Sequence, residues 1–220
     1  IEWAKKLTDA NVNVEFGIES LKCHSKIILV VREVEGQLIR YAHIGTGNFH
    51  ERTAQIYTDF SLFTANQDVA NEVASVFEFL VHSYRRFDFR HLIVSPNDAR
   101  ARYKRLIDGE IERAKLGQRA EIAIKINNID DQEMVRQLYA ASVAGVRIRI
   151  IVRGMCTLIA GVVGVSENIE IISIVDRFLE HPRFFMFYNG GDQQVIISSA
   201  DWMTRNFDRR VEVGCPIYSK

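Results

Sequence analysis

Ala120-Glu121-Ile122-Ala123-Ile124-Lys125-Ile126 and Val146-Arg147-Ile148-Arg149-Ile150-Ile151-Val152 are two short apolar runs, and the residues between them, 130–144, read as a helix. Strand, helix and strand of these lengths make a βαβ unit, whose two strands lie parallel in one sheet. The expected fold class is therefore α/β, with mixed sheets flanked by helices. Further strands are expected over 169–175, 183–188, 194–198 and 211–215. Upstream, Ser95-Pro96 reads as a helix start, with Ser95 as N-cap and Pro96 in the first turn. That helix runs to about Leu116, where Gly117 stops it. A short strand precedes it at 91–94. Before that, residues 66–89 carry a helical stripe of Val69, Val73, Val76, Phe77, Leu80 and Tyr84. The first third reads as a helix over 1–10, strands over 14–18 and 21–34, a turn at Glu35-Gly36-Gln37, and strands over 38–44 and 56–63. A boundary near His91 to Ser95 divides the chain into two α/β halves, 1–91 and 92–220.

Composition narrows the class. Of 220 residues, 47% are hydrophobic and only three are proline, as in a packed globular protein. Lys and Arg number 28 against 28 Asp and Glu, so no net basic field recruits nucleic acid. Cys23, Cys156 and Cys215 have neither zinc-ligand spacing nor an even-numbered framework, and read as reduced thiols of a cytosolic protein. The longest apolar stretch, 154–165, is too short and too glycine-broken to span a bilayer. The first residues open like an amphipathic helix rather than a signal peptide, and the chain starts without methionine, so a fragment of a longer protein is expected.

Two stretches look like distant copies. Leu21-Lys22-Cys23-His24-Ser25-Lys26 is followed by Gly45-Thr46-Gly47-Asn48, and Leu179-Glu180-His181-Pro182-Arg183 by Ser198-Ser199-Ala200-Asp201. Each copy supplies a histidine, a cation two residues on, and a small-residue loop. Strand residues two apart share a face, so His24 projects with Lys26 and His181 with Arg183. Histidine serves as nucleophile or general acid/base, and a neighbouring cation stabilises phosphate oxygens. One site shared by two half-sites, working on a phosphoryl group, is the leading expectation. Asn48 precedes Asp59 by the interval at which Asp201 precedes Glu212, although spacing alone assigns neither carboxylate a role. His43, His50, His82 and His91 read as structural or exposed. Isolated histidine-x-cation triplets are common and a lone glycine loop is weak evidence; what raises the pair above accident is that the order of features occurs twice.

Longer motifs carry a family resemblance. They are Ile18-Glu19-Ser20-Leu21-Lys22-Cys23-His24-Ser25-Lys26, Ile44-Gly45-Thr46-Gly47-Asn48-Phe49, Thr53-Ala54-Gln55-Ile56-Tyr57-Thr58-Asp59, Ile151-Val152-Arg153-Gly154-Met155-Cys156-Thr157-Leu158, Ser173-Ile174-Val175-Asp176-Arg177-Phe178-Leu179-Glu180-His181 and Ile197-Ser198-Ser199-Ala200-Asp201-Trp202-Met203-Thr204-Arg205-Asn206. In these the chain resembles the bacterial polyphosphate kinases, over essentially its whole length. The resemblance implies two related phospholipase D-like α/β domains with a pseudo-two-fold duplication, the first partial at its N-terminus and the second truncated at its C-terminus. The superfamily's aspartate after the lysine is absent: residues 27–31 are all apolar, which argues against a generic hydrolase of lipid or nucleic-acid diesters, the competing reading. A third reading is a phosphate-binding module without catalysis.

By the resemblance, His24 is the phosphoacceptor for the γ-phosphate of ATP and passes it to inorganic polyphosphate. His181 is the second site histidine, and Tyr57 and Arg153 contact the nucleotide. Arg153 suits that role because a guanidinium takes two phosphate oxygens at once. Lys26 and Arg183 are expected as phosphate clamps from their same-face geometry, with Arg205 and Asn206 as weaker candidates. The resemblance also implies Mg2+, with its ligands outside this chain, and an isolated fragment that is inactive or nearly so. Further expectations are a cytoplasmic enzyme, membrane-associated only through partners, no nucleic-acid partner, and a homo-oligomer at full length.

Overall fold

The computed structural model describes residues 2–218. In chain order the elements are α1 (Glu2–Asp9), β1 (Lys22–Cys23), β2 (Lys26–Val34), β3 (Gln37–Gly45), α2 (Glu51–Ala54), β4 (Tyr57–Thr58), β5 (Ser61–Thr64), α3 (Gln67–Val81), β6 (Ile93–Ser95), α4 (Ala99–Lys115), β7 (Glu121–Ile126), α5 (Gln132–Val143), β8 (Arg147–Val152), β9 (Ile169–Ile172), β10 (Leu179–Glu180), β11 (Arg183–Phe187), a 3-10 turn at Asn189–Gly191, β12 (Gln194–Ser198), α6 (Thr204–Asp208) and β13 (Arg210–Pro216). Residue 1 of the expected first helix lies outside the described residues.

The βαβ reading holds. β7 and β8 pair in parallel from Glu121↔Arg147 to Ile126↔Val152, and β9 continues the parallel run. Asp131 caps α5 by accepting the Met134 amide at 3.1 Å. The described residues build an eight-stranded mixed sheet in the order β1-β13-β12-β11-β7-β8-β9, with β6 also on β13. A three-stranded sheet, β2-β3-β5, and a two-stranded β4-β10 complete the set. Alternate residues of β7 and β8 (Ile122, Ile124, Ile126, Ile148, Ile150, Val152) bury one sheet face under α4 and α5, together with Tyr103, Leu138, Phe185 and Trp202. A second core joins the halves: Ala42, Ile44, Val69, Val73 and Val76 pack with Ile197, Val211, Val213 and Cys215.

Where the structure departs from the sequence reading, tertiary pairing explains the difference. The hairpin expected around Glu35 forms with Val34 opposite Gln37. Glu35 and Gly36 both have positive φ (52° and 77°), as a two-residue type I′ turn requires. The strand expected over 21–34 is two strands, because β1 pairs with β13 and β2 with β3. The strand expected over 56–63 likewise splits, β4 joining β10 and β5 joining β3. No strand forms over 14–18, a segment closed by Gly17 and Ser20 at positive φ. α3 stops at Val81 instead of 89; the Glu72 carboxylate accepts the amides of Arg90, His91 and Leu92 and folds that backbone against the helix. Ser95 is not an N-cap. It belongs to β6, opposite Glu212, and α4 begins after Asp98.

Candidate active site

The break between β1 and β2 places His24. The amides of His24 and Ser25 both donate to the Val211 carbonyl, at 3.0 and 2.9 Å, which pins the break to β13. One residue further along β13, Glu212 is 1% exposed and brings both carboxylate oxygens to 2.9 Å from His24 Nδ1. Asn206 Nδ2 donates to Glu212 Oε1 at 2.6 Å, and the Ser199 hydroxyl donates to Oε2. A buried carboxylate ringed by donors is itself held firmly. Receiving a proton donor at Nδ1, it fixes the tautomer whose Nε2 carries the lone pair. Nε2 of His24 has no hydrogen-bond partner among the described residues. Lys26 is buried and donates to the His24 carbonyl. Burial pushes its ammonium down to about 8 from 10.5; Glu212 and Asp59 oppose that shift and Arg183 adds to it.

The second half-site repeats this arrangement with the halves exchanged. His181 Nδ1 lies 2.7 Å from Asp59 Oδ1. The Thr46 hydroxyl donates to the same oxygen at 2.7 Å and accepts the Phe60 amide at 2.9 Å, as Ser199 serves Glu212 and accepts the Val213 amide at 3.1 Å. β10 runs parallel to β4 as β1 runs parallel to β13. Each histidine is therefore held by a carboxylate from the other half of the chain. Gly47 is needed for this contact, since a Cβ there would sit 1.9 Å from Asp59 Oδ2. Lys26 pairs with Gly45 across β2 and β3, and the carbonyl of the next residue, Thr46, lies 3.4 Å from Arg183 Nη1, so the two half-sites adjoin.

The half-sites differ in their cations. Arg183, 4% exposed, pairs with Asp201 through Nε (3.0 Å) and Nη2 (3.3 Å). Its Nη1 lies 3.1 Å from His181 Nε2 and 3.4 Å from the Thr46 carbonyl. Burial acts to raise the Asp201 carboxyl, but the Arg183 guanidinium outweighs it, with help from Asn128 and the Asn127 amide, and holds Asp201 below its ordinary value. Asn127, 1% exposed, ties the rest together. Its amide donates to Asp201 Oδ1 (3.0 Å), its Nδ2 to the His181 carbonyl (3.2 Å), and its Oδ1 accepts Arg153 Nε (2.7 Å). The Tyr57 ring stands 5.0 Å from the His181 ring. Lys125 pairs with Glu180 at 3.1 Å and donates to the Pro182 carbonyl.

His24, Lys26, Tyr57, Arg153, His181 and Arg183 thus form one connected cluster, although they lie far apart in the chain. Arg205 is exposed on α6, while Asn206 is buried and serves Glu212. Of the other histidines, His43 is buried between Phe49 and Phe63, and His50 caps α2. Sequence reasoning missed Asn127, Asn128 and Lys125. The usable signal was their position: polar residues at the carboxyl end of a parallel strand line the crevice of α/β sheets. The donor set does not suit magnesium, which wants near-octahedral oxygen ligation. The carboxylates of Asp59 and Glu212 are committed to imidazoles and that of Asp201 to Arg183. Among the described residues, no group of three or more His, Cys, Asp or Glu could hold a metal ion.

Two halves that face each other across a pair of matched histidines are what the phospholipase D-like resemblance implies. The family models for polyphosphate kinase C-terminal domain 1 and domain 2 match residues 1–86 and 92–220. Polyphosphate kinases of Vibrio vulnificus strain YJ016 and Escherichia coli K12 are 58% and 51% identical over 217 residues. That alignment takes in 99% of this chain but only 31% and 32% of those proteins. The crystal structure of polyphosphate kinase from Porphyromonas gingivalis superposes with a TM-score of 0.93 at 36% identity, over 100% of this chain and 34% of that one. The chain belongs to the polyphosphate kinase family and spans about a third of the length of these relatives.

Proposed function

We propose that the whole protein transfers the γ-phosphoryl group of ATP reversibly to inorganic polyphosphate through a phosphohistidine on His24. The observation that carries this is the state of the His24 ring: Nδ1 is held by buried Glu212 and Nε2 is unpartnered among the described residues. Nε2 attacks the γ-phosphorus in line, and the bond to the β,γ-bridging oxygen breaks with its electron pair leaving on ADP. The terminal oxygen of a polyphosphate chain then attacks the phosphorus and restores the imidazole. Glu212 offsets the positive charge that the phosphorylated ring acquires. Lys26, Arg183 and Arg153 offset charge on the transferring oxygens. Tyr57 gives the nucleotide an aromatic face beside His181, whose ring borders the transferring phosphate.

Magnesium would neutralise phosphate charge in this chemistry; its ligands belong to segments outside this chain. The whole protein is a homo-oligomer in this reading, and the isolated 220-residue chain is inactive or nearly so. We place the enzyme in the cytoplasm, with membrane association only through partners. In the whole protein, His24→Ala abolishes polyphosphate synthesis and ATP-dependent labelling together. Unchanged synthesis, or release of a diester product without any need for ATP, would overturn the proposal.

A further inference from the structure

The two half-sites are built alike but not equally armed. In the second, Arg183 is gripped along one edge by Asp201, and the free corner of its guanidinium is turned onto His181. Nη1 donates to His181 Nε2 at 3.1 Å and to the His181 carbonyl at 3.2 Å. With Nδ1 held by Asp59, the only lone pair of that ring is already engaged. In the first half-site the same strand position carries Lys26, which donates to the His24 carbonyl and to no ring nitrogen. The loop position matching Asp201, fourth in the repeated small-residue loop, is Asn48, which brings no charge. An arginine has a rigid fork that serves two acceptors at once; a lysine is a single point. One exchange of residue type at each of two matched positions therefore leaves one imidazole open and closes the other.

We propose that the Arg183–Asp201 pair decides which of the two histidines accepts the phosphoryl group. Arg183 caps Nε2 of His181 and withholds that ring from attack; Asp201 is the positioning residue that keeps the cap in place. His181 has the carboxylate support a nucleophile needs and is prevented from acting as one by the guanidinium. Uncapped, its Nε2 would form the bond to the γ-phosphorus while the bridging oxygen–phosphorus bond breaks and ADP departs with the electron pair. This rests on the phosphohistidine reading above, and the test separates the two.

The variant pair Arg183→Lys and Asp201→Asn gives the second half-site the residues of the first. A buried lysine without a carboxylate at the matched loop position is already accommodated at Lys26, which is 6% exposed. The first measurement needs no nucleotide: carbethoxylation of the whole protein by diethylpyrocarbonate, read residue by residue. His24 is expected to react at least tenfold faster than His181 in the unsubstituted protein, and the double variant to bring His181 to within about threefold of His24. Arg183→Lys alone keeps the ion pair with Asp201 yet loses the fork, and is expected to expose His181 in the same way should the double variant fold poorly. The second measurement is labelling from γ-labelled ATP in a His24→Ala background. No label is expected with Arg183 and Asp201 present, and label on His181 is expected once both are replaced. If His24 is labelled in the unsubstituted protein but His181 stays protected and unlabelled in both folded variants, the cap is overturned while the phosphohistidine reading stands. If His24 itself takes no label, the reading beneath fails, whatever happens at His181.

Discussion

Glu212→Gln isolates the chemistry of the site from its architecture. The carboxylate has its two oxygens at 2.9 Å from His24 Nδ1, and its other partners are the Ser199 hydroxyl and Asn206 Nδ2. Glutamine keeps the shape, and both partners can adapt to it: a hydroxyl rotates and an amide flips, bringing Asn206 Oδ1, which has no partner, round to the new donor. Loss of a charge-assisted hydrogen bond in the fold is expected to cost about 1.5–3 kcal/mol of stability. The reaction loses more. The negative charge that offsets the phosphorylated ring is gone, and an amide N–H turned to Nδ1 places the ring proton on Nε2, where the bond must form. A misplaced hydrogen-bond partner behind a working imidazole costs about 10–100-fold, and the wrong tautomer in a histidine triad as much as ~10⁴. We expect a fall of about 10²–10³-fold, or about 2.7–4 kcal/mol in activation free energy. The assay is ADP release in a single turnover with excess whole protein, followed by rapid quench, alongside thermal unfolding of the same sample. A rate within about threefold of the unsubstituted protein, in a variant shown to be folded, would refute the assignment of Glu212 to His24.

The same geometry sets three further outcomes. Lys26 titrates near 8 because burial disfavours its charge, so kcat/KM for ATP should fall as pH rises through about 8, where the phosphate clamp becomes neutral. Lys26→Arg should move that limb out of range, and a pH–rate profile unchanged by the substitution would dismiss Lys26 as a clamp. Stability has the opposite sign. The unfolded chain binds the extra proton between about 8 and 10.5, so in that window the lysine's contribution to stability rises with pH, which chemical denaturation at both ends can read. Asn127→Ala removes the link between Arg153 and the His181 carbonyl. It should raise KM for ATP about tenfold with a smaller change in kcat, and lower stability by about 1–3 kcal/mol; kinetics that move kcat alone would contradict its role in placing Arg153.

The layered α/β plan was legible because it is written in short-range pattern. Apolar runs at 120–126 and 146–152 with a helix between them can make little else, and the Glu35-Gly36 turn specifies its own hairpin. The histidines were legible because the motif occurs twice. The misread segments fall where the chain changes partners. His24 sits where one apparent strand hands over from β13 to β3, and Asp59 where another hands over from β10 to β3. Periodicity continues through both points, so nothing local marks the break. The exchange of carboxylates was hidden for the same reason: Asp59 and Glu212 share an interval with their loops, but which histidine each serves is set by strand pairing between halves. Asn127 was invisible because its importance comes from three partners scattered over residues 153–201.

The most direct test is the position of the phosphate on the ring. The whole protein is treated with γ-labelled ATP, quenched in alkali, digested, and its phosphohistidine peptide resolved by mass spectrometry and by phosphorus NMR that separates the two ring isomers. Acid-labile phosphate on Nε2 of His24 is the predicted result, since Glu212 occupies the other nitrogen. Phosphate on Nδ1 of His24, or on a residue outside this cluster, would contradict the account.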